Sequence, residues 1–261
     1  MTSDALLLIG RAGGNVRTVI ETHADRLERR GVAEDVHTAT YEYEPVRELR
    51  EQLQAIDADR VYAAPTWVAH TGDTVRDIPA ALATVPGTVR SCEPLGRSPA
   101  VTDVLLNRAS SLVPANEDVS LILVGLGSGS TPHQRRTATY HAARIEETSS
   151  YGEVRTCYLY QNPTVECARY AASNDRVVAV PLFFARSEVT DERIPAKLEL
   201  ERGGVAYADP LCDHPRVTDA IQGEVERQRV LALGDGASAF DAGVATRHPI
   251  VGDGEGKSVR R

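Results

Sequence analysis

The chain has 261 residues, of which 42% are hydrophobic and 25% are charged, a composition typical of globular proteins that bury a full core. Acidic residues outnumber basic ones by 37 to 29, and the resulting formal net charge of −8 argues against a nucleic-acid-binding protein. No run approaches the roughly 18 apolar residues that a membrane span needs, and the first residues lack the basic region of a secretory signal. We therefore expect a cytoplasmic protein with no membrane and no nucleic-acid partner.

The chain contains two copies of one sequence module. The segment PLGRSPAVTD at residues 94–103 matches PLCDHPRVTD at residues 210–219, with six of the ten positions identical. Near the start of each copy, LLLIGRAGG at 6–14 matches LILVGLGSG at 121–129. These matches predict a first module at residues 1–115 and a second at 118–230. The module pattern does not continue into residues 231–261, which contain six glycines. We therefore expect them to form a flexible tail.

Within each module, continuous apolar runs alternate with amphipathic stretches. In chain order, the first module predicts strands at 5–9, 35–41, 60–64 and 88–92, and helices at 16–29, 46–56, from about 77, and 100–112. The second module predicts strands near 120–124, 154–160, 176–180 and 205–208. Apolar strands that alternate with helices are typical of parallel sheets covered on both faces. The predicted fold is α/β, with two doubly wound parallel-sheet modules related by internal duplication.

Candidate functional residues lie in the loops that follow the strands, because open parallel sheets bind ligands at the carboxyl ends of their strands. Glycine-rich turns follow the first strand of each module, but neither fits the dinucleotide fingerprint, since the third glycine and the ribose-binding acid are misplaced for it. The loops after the third strands, 65–79 and 181–195, are long for such connections, and long ordered loops at this edge are usually functional. The first contains His70 and Asp73, and the second contains Arg186.

These loops resemble those of the sirohydrochlorin chelatases of the CbiX/SirB group. The resemblance rests on the glycine turn after strand one, on Asp77-Ile78-Pro79 after strand three and on PLGRSP at 94–99 after strand four, and it extends from residue 5 to about 229. It implies a protein of cobalamin or siroheme biosynthesis that inserts a divalent metal into a tetrapyrrole, in a cleft between two modules. The metal (cobalt, iron or nickel) is then a substrate, and no organic cofactor is implied.

The chain departs from this family at the histidines that hold the metal. The family usually reads Gly-His-Gly-Ser after strand one, and the histidine position is Arg11 in the first copy and Leu126 in the second. A second family histidine falls, by count along the loop after strand three, at Asp73 and Val189. Both histidines are therefore absent from both copies.

The resemblance implies replacements for these histidines. Asp73 and the nearby His70 become the expected metal ligands and catalytic residues, and Glu42 is the nearest match to a glutamate that often lines the site in the family. Insertion of a divalent ion releases two pyrrole protons, so the reaction needs a general base. Sirohydrochlorin carries many carboxylates, which arginine binds in bidentate fashion. The candidate substrate-binding arginines are Arg11, Arg76, Arg135 and Arg186.

Two other functions stay open at this stage. A catalytically inactive relative could bind a tetrapyrrole or a partner enzyme without inserting metal, because the usual histidines are missing. A small-molecule binder of the periplasmic type is disfavoured, since no export signal is seen. The leading hypothesis is a metal chelatase of the lyase class.

Overall fold

The computed structural model describes residues 3–244, with side chains up to residue 233. The first half contains β1 (Asp4–Arg11), α1 (Val16–Arg29), β2 (Asp35–Tyr41), α2 (Pro45–Glu48), α3 (Arg50–Gln54), β3 (Arg60–Pro65), α4 (Ile78–Leu82), β4 (Thr88–Ser91) and α5 (Pro99–Leu112). The second half contains β5 (Val119–Gly125), α6 (His133–Thr148), β6 (Glu153–Tyr158), α7 (Val165–Ala171), β7 (Arg176–Pro181), α8 (Ile194–Lys197), β8 (Val205–Tyr207) and α9 (Pro215–Val244). Short π-helical turns, Asp73–Asp77 and Val189–Arg193, precede α4 and α8.

Each half forms one parallel four-stranded sheet, with strand order β2-β1-β3-β4 in the first and β6-β5-β7-β8 in the second. The matching order and the helices on both faces confirm the predicted fold of two doubly wound modules. One local difference is that the helix predicted over 46–56 is divided into α2 and α3 near Leu49. The Glu48 side chain at this division is used by the preceding loop, because it accepts hydrogen bonds from the backbone N–H groups of Glu42, Tyr43 and Glu44.

The two modules share one hydrophobic core. Leu6 and Leu8 of β1 and Leu121 and Leu123 of β5 belong to a single buried cluster that also includes residues of α1, α5, α6 and α9. Alternate strand residues, such as Leu7, face the outer helices instead, as the two-residue period of a strand requires. Helix α5 contacts β7 of the second module, while α9 contacts β3 of the first. Each module therefore covers the sheet of the other, and the repeat boundaries at 115 and 118 stay a sequence-based prediction.

A reciprocal pair of buried histidines joins the modules. His23 of α1 hydrogen-bonds through Nδ1 to Thr218 Oγ1 at 2.9 Å and through Nε2 to the Cys212 carbonyl at 3.0 Å. In the reverse direction, His141 Nδ1 of α6 lies 2.8 Å from Thr102 Oγ1. Burial lowers the pKa of each imidazole to about 4. Thr102 and Thr218 occupy the same position of the repeated PL…VTD segment, so the clearest repeat in the sequence forms the interface between the modules.

Helix α9 continues beyond the predicted end of regular structure. Its backbone is helical to Val244, whereas the expected flexible tail begins at residue 231. Leucine and alanine favour helix at several of these positions. Residues 245–261 lie outside the described residues, so the flexibility of the 231–261 segment stays a prediction. Among the helices of residues 3–244, none is long and apolar enough to cross a membrane.

Candidate active site

A cleft of about 430 Å³ lies between the modules, at the carboxyl ends of their central strands. Its two walls differ in chemistry. The first module contributes mainly polar groups and an indole: Arg11, Thr66, Trp67, Thr71 and Asp73. The second module contributes mainly apolar side chains: Leu126, Leu182, Phe183, Phe184 and Val189. The duplication has thus produced one wall with titratable groups and one apolar wall.

The four positions at which the resembled family carries metal histidines all line this cleft. They are Arg11 and Asp73 on the first module and Leu126 and Val189 on the second. Arg11 ends β1, and Asp73 and Val189 begin the two π-helical turns. The four positions that were matched by counting along the sequence therefore lie together in one cavity.

The carboxylate of Asp73 is held by a tyrosine that the sequence analysis did not select. The Tyr41 hydroxyl donates a hydrogen bond of 2.6 Å to Asp73 Oδ2. Tyr41 is buried at the end of β2, and its ring stacks on that of Trp67 with centroids 6.1 Å apart. Burial and the bond to Asp73 raise the pKa of Tyr41 far above its ordinary value, so the hydroxyl remains a donor. The sequence feature that could have selected Tyr41 is its place at the end of the second predicted strand, directly before a candidate ligand-binding loop.

Arg11 presents cationic hydrogen-bond donors at the cleft. Its Nε donates to the backbone carbonyl of Glu42 at 3.0 Å, and it has no carboxylate partner among the described residues. The other donors of the guanidinium are therefore available to a ligand anion. Glu42 supports Arg11 through its carbonyl, while its own side chain is exposed and lies outside the cleft lining.

His70 faces away from this cleft. Its Nε2 lies 2.8 Å from Glu93 Oε2, and its ring meets that of His133 edge-on at 5.4 Å between centroids. These residues line a second cavity of about 360 Å³. The structure therefore does not bring His70 and Asp73 together in one cavity as the sequence-based hypothesis requires. Between them the chain enters the first π-helical turn, at whose start the Thr71 N–H donates to Thr74 Oγ1 at 2.8 Å.

The remaining candidate arginines surround the cleft rather than line it. Arg186 pairs with Asp209 at 2.5 Å and stands between Ala185 and Ser187, which do line the cleft. Arg135 donates to the Asn162 carbonyl at 2.9 Å, and Arg76 is exposed on the first π-helical turn. Over the residues whose side chains are described, no group of three or more His, Cys, Asp or Glu is arranged to hold a metal ion.

Two matching parallel sheets, with a cleft between them at the strand ends, define a duplicated α/β protein, and open parallel sheets bind ligands at this edge. The CbiX family model matches this chain twice, at residues 6–112 and 120–228. The chain therefore belongs to the CbiX family, in agreement with the resemblance seen in its loop motifs.

One curated protein and two solved structures are similar to this chain. A probable sirohydrochlorin cobaltochelatase of Halobacterium salinarum is 27% identical over 201 residues, which cover 67% of this chain and 68% of that protein. The solved structure of SirB from Bacillus subtilis with Fe3+ is similar in fold, with a TM-score of 0.69 and 18% identity over 89% of this chain and 98% of that one. A multi-domain Deinococcus radiodurans protein with structural similarity to chelatases gives a TM-score of 0.71 at 20% identity over 86% of this chain. The present chain spans 55% of the length of that protein.

Proposed function

We propose that this protein inserts a divalent metal ion, cobalt or iron, into a tetrapyrrole of the sirohydrochlorin type. The observation that carries the proposal is the cleft in which Arg11, Asp73, Leu126 and Val189 meet. Membership of the CbiX family and the name of the Halobacterium relative, a probable sirohydrochlorin cobaltochelatase, support this substrate class. The reaction belongs to the lyase class, and the metal ion is a substrate.

The apolar wall suits the flat face of a macrocycle. Phe183, Phe184 and Leu126 line the second-module side of the cleft, and Trp67 lines the opposite side. Aromatic and aliphatic side chains bind the faces of conjugated rings by burial and offset stacking. In this arrangement the second module docks the macrocycle, and the first module supplies the polar groups that act on its centre.

Asp73 is the candidate general base and the candidate metal ligand. When a divalent ion enters the ring, four pyrrole nitrogens bind it and two of them each release a proton, so total charge is conserved. A carboxylate on the cleft wall accepts such a proton, and a carboxylate oxygen also holds a divalent ion loosely enough to transfer it. The bond from Tyr41 occupies one lone pair of Asp73 Oδ2 and fixes the orientation of the carboxylate.

Arg11 is the candidate anchor for a carboxylate of the macrocycle. A guanidinium does not bind a metal cation, but its fork of donors matches a carboxylate. Arg186, Arg76 and Arg135 lie outside the cleft lining. They add positive charge to a protein whose formal net charge is −8. His70 and Glu42 have their side chains outside the cleft lining, so the proposed catalytic set consists of Asp73 and its positioning residue Tyr41.

The proposal is tested by mixing purified protein, sirohydrochlorin and Co²⁺ and following metal insertion by the change in absorbance. The wild-type protein is expected to exceed the spontaneous rate, and Asp73→Asn to slow insertion by about 100-fold. Asp77→Asn, in the same turn but outside the cleft lining, is the matched control and keeps the wild-type rate. If the wild-type protein binds the macrocycle yet inserts metal no faster than buffer, the enzyme proposal fails and the inactive, tetrapyrrole-binding function is supported.

A further inference from the structure

The second cavity lies at the junction of the modules, on the other side of the loop after β3 from the cleft. It has a volume of about 360 Å³, and Val68 lines both it and the cleft. Its polar lining comes from both modules and consists of His70, Glu93, Arg97, His133, Arg136, Thr137 and Tyr140. The cavity is therefore completed only when the two modules pack together.

The lining of this cavity carries more positive than negative charge. Arg97 and Arg136 both line it, and within the part of the chain whose side chains are described neither guanidinium has an ion pair or a hydrogen bond. The one carboxylate in the lining, Glu93, already binds His70 Nε2 at 2.8 Å. The two guanidinium groups and the one carboxylate give the lining a net charge of +1 before the imidazoles are counted.

The pseudo-symmetric position in the other half of the molecule is closed. The repeated segments 94–103 and 210–219 are 116 residues apart, and at this offset His70 corresponds to Arg186 and Glu93 to Asp209. Arg186 and Asp209 also form an ion pair, at 2.5 Å. There, however, Asn15 and Arg186 exchange hydrogen bonds through the Asn15 N–H and side-chain oxygen, at 3.1 and 2.8 Å. Gly14 packs so tightly that a Cβ atom would lie 1.9 Å from the Arg186 carbonyl oxygen.

The charge at this position is also reversed between the halves. Arg97 occupies the position that Asp213 holds in the second copy of the repeated segment. The two halves therefore differ in two ways at this position: the first has a cavity where the second has the packed Gly14–Arg186 contact, and it has an arginine where the second has an aspartate. An open cavity with uncompensated guanidinium groups is the arrangement that anion-binding sites use.

We propose that the second cavity is a carboxylate-binding site, with Arg97 and Arg136 as the residues that bind the anion. Two sources can supply this chemistry: a carboxylate arm of a macrocycle held in the neighbouring cleft, or a free small polycarboxylate. The other polar residues of the lining are Glu93, Thr137, Tyr140 and the two histidines, and Glu93 is already paired with His70.

The experiment compares the double variant Arg97→Gln/Arg136→Gln with Arg29→Gln/Arg176→Gln in the full chain. The control removes the same two charges from exposed arginines at the opposite edge of the sheets. Binding of two probes is measured by calorimetry and fluorescence at low salt: uroporphyrin, a metal-free macrocycle with carboxylate arms, and citrate, a free tricarboxylate.

Loss of both guanidinium groups is expected to weaken binding of the relevant probe by at least tenfold, since each charge-assisted hydrogen bond contributes on that order. A loss confined to uroporphyrin identifies the macrocycle arm as the source, and a loss confined to citrate identifies a free anion. If wild type and the Arg97/Arg136 variant bind both probes equally, or if the control loses as much as the variant, the proposal is overturned. Because citrate binding does not depend on metal insertion, failure of the proposed chelatase activity would leave this test intact.

Discussion

The Tyr41 hydroxyl and the Asp73 carboxylate, 32 residues apart in the chain, are joined by a hydrogen bond of 2.6 Å at the polar wall of the cleft. The bond links the end of β2 to the turn that follows β3. Because Tyr41 is buried and stacked on Trp67, it holds the carboxylate in one orientation.

Tyr41→Phe removes the hydroxyl and keeps the ring. We expect the rate of metal insertion to fall about tenfold, since one hydrogen bond to a charged group is lost, while the dissociation constant of the macrocycle stays unchanged. Insertion rates measured over a range of macrocycle concentrations separate the two effects. Tyr151→Phe, whose hydroxyl donates to the distant Val113 carbonyl, serves as the control. An unchanged rate in Tyr41→Phe would show that the bond does not position Asp73 for the reaction.

The apolar wall offers a way to restore histidines to the cleft. Leu126→His/Val189→His places two imidazoles at positions that line the same cavity. We expect Co²⁺ binding to tighten at least tenfold and to weaken below about pH 6, as the imidazoles become protonated. Calorimetry and the visible absorption of bound cobalt measure this. The control Leu126→Gln/Val189→Gln adds polarity without a metal ligand, and equal cobalt affinity in the two variants would contradict the expectation.

The buried pair His23 and His141 predicts a loss of stability in mild acid. Both pKa values are lowered from 6.5 to about 4, so the unfolded chain takes up protons below pH 6.5 while the folded protein does not. The free energy of unfolding is therefore highest above pH 6.5 and decreases as the pH falls toward 4, by up to about 3 kcal/mol for each histidine.

Urea unfolding at pH 7.5, 6.0 and 5.0 measures this dependence. The variant His23→Gln/His141→Gln is expected to be less stable than wild type at pH 7.5 and to lose much less stability on acidification. His214, which is partly exposed and whose pKa is also lowered by burial, accounts for a small remaining slope. A wild-type unfolding midpoint that is constant from pH 7.5 to 5.0 would show that the histidines are solvated in the folded protein.

Gly96 tests how the loop after β4 packs against the loop after β3 and against helix α6 of the second module. A Cβ atom at this position would lie 1.7 Å from the Val68 carbonyl oxygen and 2.6 Å from Thr137 Cγ2. The Val68 backbone and the Thr137 side chain would have to move, so Gly96→Ala is expected to destabilise the protein by about 2 kcal/mol or more. Gly223→Ala, in helix α9 with no atom within 4 Å of the added methyl, should be neutral or slightly stabilising. Similar unfolding midpoints for the two variants would contradict this packing.

The sequence by itself determined the strands, most of the helices and the duplication. Helix α1 and strand β2 have the predicted bounds, 16–29 and 35–41, because apolar periodicity is local information that the chain carries directly. The motifs around Asp77-Ile78-Pro79 and Pro94 also identified the family. By count along the loops, the sequence placed Arg11 and Asp73 at positions that the cleft then brought together.

Only the tertiary structure decided which side chains share a cavity. His70 and Asp73 are three residues apart, yet they line different cavities. Tyr41 reaches Asp73 from another strand, and His23 meets Thr218 across 195 residues of chain. Such contacts depend on how the two sheets pack against each other, and long-range packing leaves no local periodicity in the sequence from which side-chain direction can be deduced.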